Sequence, residues 1–110
     1  MTDDKTARIR ALNDAFRQSG RGGRIMMTAG VNALNKADLA ALLAMIASYD
    51  DFTADNDPHQ EHDFGTIEAN DQTFFWKIDY YDRAMEAGSD DPSDPEKTTR
   101  VLTIMLAEEY

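Results

Sequence analysis

The chain contains no cysteine, and this absence removes several kinds of protein at once. A disulfide framework, a thiolate zinc site, an iron–sulfur cluster and a cysteine nucleophile all need that residue. Basic residues are also scarce, since 11 Lys and Arg stand against 21 Asp and Glu and give a formal net charge of −10. Nucleic-acid binders neutralise phosphates with Lys and Arg. Direct binding to DNA or RNA is therefore not expected.

Long apolar runs are missing as well. No stretch approaches the ~20 apolar residues of a membrane-spanning helix, and residues 1–10 lack the apolar run of a signal peptide. A cytoplasmic protein without membrane contact is therefore expected. The 110 residues are 42% hydrophobic, which is enough for one core, and chains of this length usually form one domain. We predict a single domain over residues 1–110.

Caps and apolar spacing predict two helices in the first half of the chain. The first begins at Thr2, which precedes two acidic residues, and its apolar stripe comprises Ile9, Leu12 and Phe16. The second begins at Asn35, where Asp38 completes a capping box, and runs to about Tyr49.

The sequence predicts one isolated strand and one pair of strands. Residues 24–28 are short, apolar and bounded by glycines, which favours a buried strand. Residues 63–69 and 72–81 flank Asn70 and Asp71, both tolerant of the left-handed backbone of a type I′ turn, and so predict a hairpin. In the resulting register Gly65 faces Trp76, where a missing side chain leaves room for the indole.

A third helix is predicted near the end of the chain. Asp94 is its expected N-cap and Pro95 suits the first helical position. The expected buried face consists of Val101, Leu102, Met105 and Leu106. The element order α-β-α-β-β-α then predicts an α+β fold in which three helices pack on a small antiparallel sheet in two layers.

The charge is unevenly distributed along the chain. Residues 1–49 carry seven basic and four acidic side chains, a net of +3, whereas residues 50–96 carry fifteen acidic against two basic, a net of −13. Such a segment attracts a basic partner, with association that weakens as salt rises. The alternative is that these carboxylates only keep the protein soluble. The carboxylates expected to bind a partner are Asp50, Asp51, Asp55, Asp57, Glu61 and Asp63.

The same acidic stretch also carries the candidates for chemistry. Alternating acids and His59 resemble calcium-loop spacing, but Gln60 stands where such a loop needs glycine. Neither a metal nor any other cofactor is therefore expected. The alternative function is a small metal-dependent or acid/base enzyme, because an imidazole is the usual acid/base group of proteins and the hairpin register would place His62 opposite Asp79. The candidate catalytic set is Glu61, His62, Asp63 and Asp79.

The second face of the predicted hairpin is partly aromatic. It carries Phe64, Phe75 and Tyr81. Base stacking is disfavoured there by the surrounding acid, and a homo-oligomer contact through this face is the remaining hypothesis.

Three motifs carry a resemblance to a known family. They are EHDFG at 61–65, FFWKIDYYD at 74–82 and TRVLTIMLAEEY at 99–110. Together they resemble a domain-of-unknown-function family of short bacterial proteins, often encoded on plasmids and other mobile elements. The acidic segment beside a compact core predicts a non-enzymatic interaction protein that docks on a basic, nucleic-acid-handling protein, and the mobile-element context implies which form it takes. Its specific form is a nucleic-acid mimic that inhibits host defence, of anti-CRISPR or anti-restriction type.

Overall fold

Helices dominate the first half of the chain and strands the second. The computed structural model describes residues 4–110, so the predicted cap at Thr2 lies outside the described residues. The elements are α1 (Asp4–Ser19), β1 (Gly23–Met27), α2 (Ala29–Asn32), α3 (Lys36–Ala47), β2 (Phe64–Ala69), β3 (Gln72–Tyr81), β4 (Thr99–Leu106) and a 3₁₀ turn (Ala107–Glu109). No helix within 4–110 is long and apolar enough to cross a membrane.

The four strands form one sheet in the order β1-β4-β3-β2. The hairpin strands β2 and β3 are antiparallel, β4 is antiparallel to β3, and β1 lies parallel to β4. The last strand in sequence is therefore an inner strand, while β1 and β2 form the two edges.

The helices cover one face of this sheet. Their buried side chains meet the alternate residues of the strands that point toward them, as period-two alternation requires. The core comprises Phe16, Val31, Leu42, Ile46, Ile67, Phe74, Trp76, Ile78, Leu102 and Ile104. The predicted α+β class, with helices packed on a small sheet in two layers, is confirmed; the sheet also contains the one parallel pair between β1 and β4.

The hairpin and the central helix follow their local sequence signals. Asn70 and Asp71 have φ of 54° and 62°, and Gly65 pairs with Trp76 in the predicted register. A β-carbon at Gly65 would lie 2.3 Å from Trp76 Nε1, so the indole occupies that space. The side chain of Asn35 accepts a hydrogen bond from Asp38 N (2.8 Å) and caps α3, as predicted.

The predicted third helix is wrong, because residues 99–106 form β4. The Asp94 carboxylate accepts a hydrogen bond from the backbone N–H of Glu96, but this contact closes only a local turn. An inner strand is buried on both faces, so it reads as a nearly continuous apolar run that a helix can equally explain. Val101 and Met105 are buried on one face of β4 while Leu102 and Ile104 are buried on the other.

The strand predicted at residues 24–28 is confirmed as β1, but its predicted burial is wrong. Ile25 is 39% exposed and Met26 is 56% exposed. Since β1 is an edge strand, it has a neighbour on one side only. Apolar composition here does not signal burial.

Candidate functional site

Two polar side chains of α1 are buried where apolar ones would be expected. Asn13 is fully buried and Arg17 is 5% exposed. The guanidinium of Arg17 donates from Nε to Ile46 O (3.1 Å) and from Nη2 to Tyr49 O (3.1 Å). These carbonyls lie at the C-terminal end of α3, where positive charge complements the helix dipole. Arg17 thereby holds α1 against α3.

Asn13 lies at the centre of a second contact set, which we call the Tyr80 network and which comprises Asn13, Glu61, Tyr80 and Arg100. Asn13 Nδ2 donates to Tyr80 Oη (2.8 Å) and to the backbone O of Glu61 (2.9 Å). Tyr80 Oη donates to Glu61 Oε1 (2.7 Å), and Arg100 Nε donates to Asn13 Oδ1 (2.8 Å). The network joins α1, the 50–63 loop, β3 and β4.

Burial shifts the pKa values of two members of this network, Tyr80 and Arg100. Burial raises the pKa of the Tyr80 hydroxyl far above its ordinary value, and the hydrogen bond that the hydroxyl donates to the Glu61 carboxylate raises the pKa further. The Tyr80 hydroxyl therefore keeps its proton, and its hydrogen bond to Glu61, even at alkaline pH. Burial also lowers the pKa of Arg100, whose guanidinium lies 5.2 Å from the Tyr80 ring centroid, a cation–π distance. The Asp63 carboxyl has a raised pKa because of burial and of nearby Glu61.

His62 anchors the loop to α1 through a neighbouring group, the His62 cluster, which comprises Asp14, Phe52, Asp57 and His62. Its Nδ1 lies 2.9 Å from Asp14 Oδ1 and its Nε2 lies 3.6 Å from Asp57 Oδ2. The imidazole stacks on the Phe52 ring at 3.7 Å between centroids and 2° between planes. Asp57 is 6% exposed, and its Oδ1 accepts a hydrogen bond from His62 N (3.2 Å).

The predicted pairing of His62 with Asp79 is wrong. Gln60 and His62 adopt left-handed backbone conformations, with φ of 59° and 54°, so the chain turns before β2 begins at Phe64. Asp79 instead forms an ion pair with Lys77 (3.0 Å) on the face of the sheet away from the helices. The predicted catalytic residues therefore belong to different contact sets. Glu61 accepts a hydrogen bond from Tyr80, and His62 contacts Asp14.

A shallow pocket of about 310 Å³ opens beside the His62 cluster. Arg10 lies on its rim and donates from Nη1 to Gln60 O (3.0 Å). The lining residues are Arg10, Phe52, Thr53, Ala54, Asp57, Gln60 and His62. Between residues 4 and 110, no group of three or more His, Asp or Glu side chains is arranged to hold a metal ion.

The carboxylates predicted to bind a partner divide into two groups. Asp50, Asp51 and Asp55 are exposed, and within the described part of the chain their side chains make no hydrogen bond or ion pair. Asp57 is buried, whereas Glu61 and Asp63 are half-buried. The exposed group lies on an ordered loop, since Asn56 Nδ2 donates to Asp51 O (2.8 Å).

The aromatic face predicted for oligomer contacts is partly covered by the chain itself. Tyr110 packs edge-on against Phe64, with centroids 6.4 Å apart, and against Phe75 at 5.6 Å. Homo-oligomerisation through Phe64, Phe75 and Tyr81 stays a prediction.

Comparison with known proteins identifies a family. A family model described as "Protein of unknown function (DUF3768)" matches residues 27–109. This chain belongs to that family. The match confirms a domain-of-unknown-function family, while the plasmid and mobile-element context stays a prediction. No curated protein and no solved structure matches the chain. Because the match begins at residue 27, the family region includes the 50–63 loop and strands β2 to β4, and α1 precedes it.

Four polar residues of the Tyr80 network and the His62 cluster escaped the sequence prediction, namely Asn13, Asp14, Tyr80 and Arg100, and so did the packing role of Arg17. A signal for two of them exists in α1. Asn13 and Arg17 follow Ile9 by four and eight positions, the spacing of a buried helix face. Polar residues at such positions indicate a buried hydrogen-bonded contact. Tyr80 and Arg100 are paired across β3 and β4, so their contact can be predicted only once these two strands are known to be neighbours.

Proposed function

We propose that this protein is a non-enzymatic interaction protein that binds a basic protein through the acidic 50–63 loop. The observation that carries the proposal is the exposure of Asp50, Asp51 and Asp55, whose side chains have no partner within residues 4–110. They belong to the segment 50–96 with its net charge of −13. Unpaired exposed carboxylates on an ordered loop are available to a cationic surface at little cost in ordering.

The other loop acids support the same function indirectly. Asp57 contacts His62, and Glu61 accepts from Tyr80, so both carboxylates face inward. In the proposed function they hold the loop in shape while the exposed group contacts the partner. Engagement of His62 and Glu61 in packing also favours binding over catalysis.

The specific form of the proposal is a cytoplasmic inhibitor of host defence. Rows of carboxylates present negative charge as a nucleic-acid backbone does, and a nucleic-acid-handling protein offers the complementary basic groove. An anti-CRISPR or anti-restriction nucleic-acid mimic fits this charge pattern, and the expected mobile-element context agrees with it.

The test is charge reversal with a matched control. Affinity capture from a bacterial lysate at low salt identifies the partner, and titration calorimetry measures its affinity. We expect the double variant Asp51→Lys/Asp55→Lys to bind at least about tenfold more weakly, as loss of complementary charge predicts. Glu68→Lys/Glu108→Lys makes the same change in net charge at other exposed positions and should bind within about twofold of the parent. Equal affinity for both double variants, or binding that salt does not weaken, would refute the proposal.

A second candidate function is acid/base catalysis at His62. The observation favouring it is the Asp14 carboxylate at Nδ1, which can orient an imidazole as a base beside the pocket rimmed by Arg10. Hydrolysis of a panel of simple esters and phosphate esters that disappears in His62→Gln would support this function. Loss of fold is checked by the far-UV circular dichroism of the variant.

A further inference from the structure

The outer edge of β1 has no neighbouring strand among the described residues. The sheet ends at β1, whose only paired strand is β4. Gly23 to Met26 are all exposed. An edge of this kind presents unpaired backbone N–H and C=O groups that another strand can pair with.

Alternation along the strand identifies which backbone groups face outward. Thr28 N donates to Ile104 O (3.1 Å), toward β4. Because the groups of successive residues alternate in direction, residues 24, 26 and 28 face β4, and Gly23, Ile25 and Met27 face outward. The Met27 carbonyl accepts a hydrogen bond from Asn32 Nδ2 (3.1 Å). Ile25 therefore offers the central donor and acceptor of this edge.

Arg24 is the one charged side chain of β1, and apart from it the strand lacks the usual protection of a sheet edge. Soluble proteins block exposed edges with lysine, proline, bulges or a covering element. The segment 23–27 contains none of these residues and is regular in its pairing with β4. Its exposed apolar residues Ile25 and Met26 are consecutive in sequence, so their side chains lie on opposite faces of the sheet.

We propose that β1 pairs antiparallel with β1 of a second copy, about a two-fold axis at Ile25, so that the two sheets form one eight-stranded sheet. The outward groups of Ile25 then bond those of the second copy's Ile25, and Gly23 faces the second copy's Met27. Arg24 faces the second copy's Met26, so the two arginines are not directly opposed. The strand is therefore complementary to itself, as a two-fold contact requires.

A second copy meets less like-charge repulsion at this edge than at the acidic segment. A contact through residues 50–96 would bring two segments of net charge −13 together, whereas β1 lies in the segment of net charge +3. Five paired residues bury less area than the roughly 1,200 Å² of a stable interface. The dimer is thus expected to form at high protein concentration and to dissociate on dilution.

The test uses two substitutions of opposite sign at the exposed Met26, followed by sedimentation equilibrium over a range of concentrations. Met26→Glu faces the second copy's Arg24 twice per dimer and should lower the dissociation constant roughly three- to tenfold. Met26→Lys opposes arginine twice and should raise it by a similar factor. Simple repulsion between molecules of charge −10 predicts the reverse order.

Two further variants separate edge pairing from other contacts. Ile25→Pro removes an outward N–H without removing a hydrogen bond to β4, and because edge strands tolerate proline it should give a monomer that remains folded. Leu43→Lys replaces an apolar residue that is 37% exposed on α3 and should leave the dimer unchanged. A parent protein that stays monomeric at millimolar concentration would overturn the proposal, as would growth beyond dimers or equal masses for the two Met26 variants.

Discussion

At the residue scale, Asn13 shows how one amide can replace apolar packing at the junction of four elements. Its Nδ2 donates two hydrogen bonds and its Oδ1 accepts one from Arg100. Each partner is itself buried or half-buried, so water replaces a lost hydrogen bond poorly at this junction. A buried polar group of this kind is stable only when its partners are all present.

Asn13→Ala should therefore destabilise the protein by about 2–4 kcal/mol, because it leaves Arg100 Nε and the Glu61 carbonyl without their partners. Urea denaturation followed by tryptophan fluorescence measures the change. Gln18→Ala, an exposed substitution in the same helix, should change stability by less than about 0.5 kcal/mol. Similar effects for the two variants would contradict the role given to the Tyr80 network.

At the element scale, the parts that the sequence predicts correctly are those encoded locally. Asn35 caps α3 through a residue three positions away, and Asn70-Asp71 set the turn that fixes the β2–β3 register. β4 resembles a helix in sequence because burial on both faces makes its apolar run nearly continuous, and its neighbours in the sheet, β1 and β3, are distant in sequence.

The candidate site shows the same division. The sequence alone locates the acidic loop and His62. The predicted pairing of His62 with Asp79 is wrong, since the left-handed backbone at Gln60 and His62 redirects the chain. The actual partner, Asp14, lies 48 positions away along the chain. Such contacts depend on how α1 lies across the sheet, and no local pattern specifies that.

The pairing of Gly65 with Trp76 can be tested within the β2–β3 element. Gly65→Ala should destabilise by about 1–3 kcal/mol, because its β-carbon would overlap the indole. Gly88→Ala, whose β-carbon would meet its nearest atom at 3.8 Å, should be close to neutral. Thermal unfolding of the two variants gives the comparison, and an equally stable Gly65→Ala would show that the indole can move away.

At the scale of the whole molecule, two acidic loops attach to one helix. Arg10 Nη1 donates to Gln60 O in the 50–63 loop. Lys5 Nζ lies 3.9 Å from Asp91 Oδ2 in the loop between β3 and β4. α1 thus holds together segments whose like charges repel. Self-repulsion of a strongly charged protein opposes its compact state and weakens when salt screens the charges.

Added salt should consequently stabilise the fold. We expect the melting temperature to rise by about 2–5 °C between ~20 mM and ~300 mM sodium chloride, the size of shift that ~1 kcal/mol produces in a domain of this length. The triple variant Asp50→Asn, Asp51→Asn, Asp55→Asn should show a smaller rise, because it carries less repulsion. A melting temperature that falls with salt would mean that attractive ion pairs dominate instead.

The inner position of β4 has a consequence for how the protein is made. A ribosome synthesises β4 after the other three strands, at roughly 5–20 residues per second. Until residues 99–106 emerge, β1 has no partner and β3 pairs with β2 alone. The sheet therefore cannot close on a nascent chain that ends before β4, and folding is completed only after that strand has left the exit tunnel.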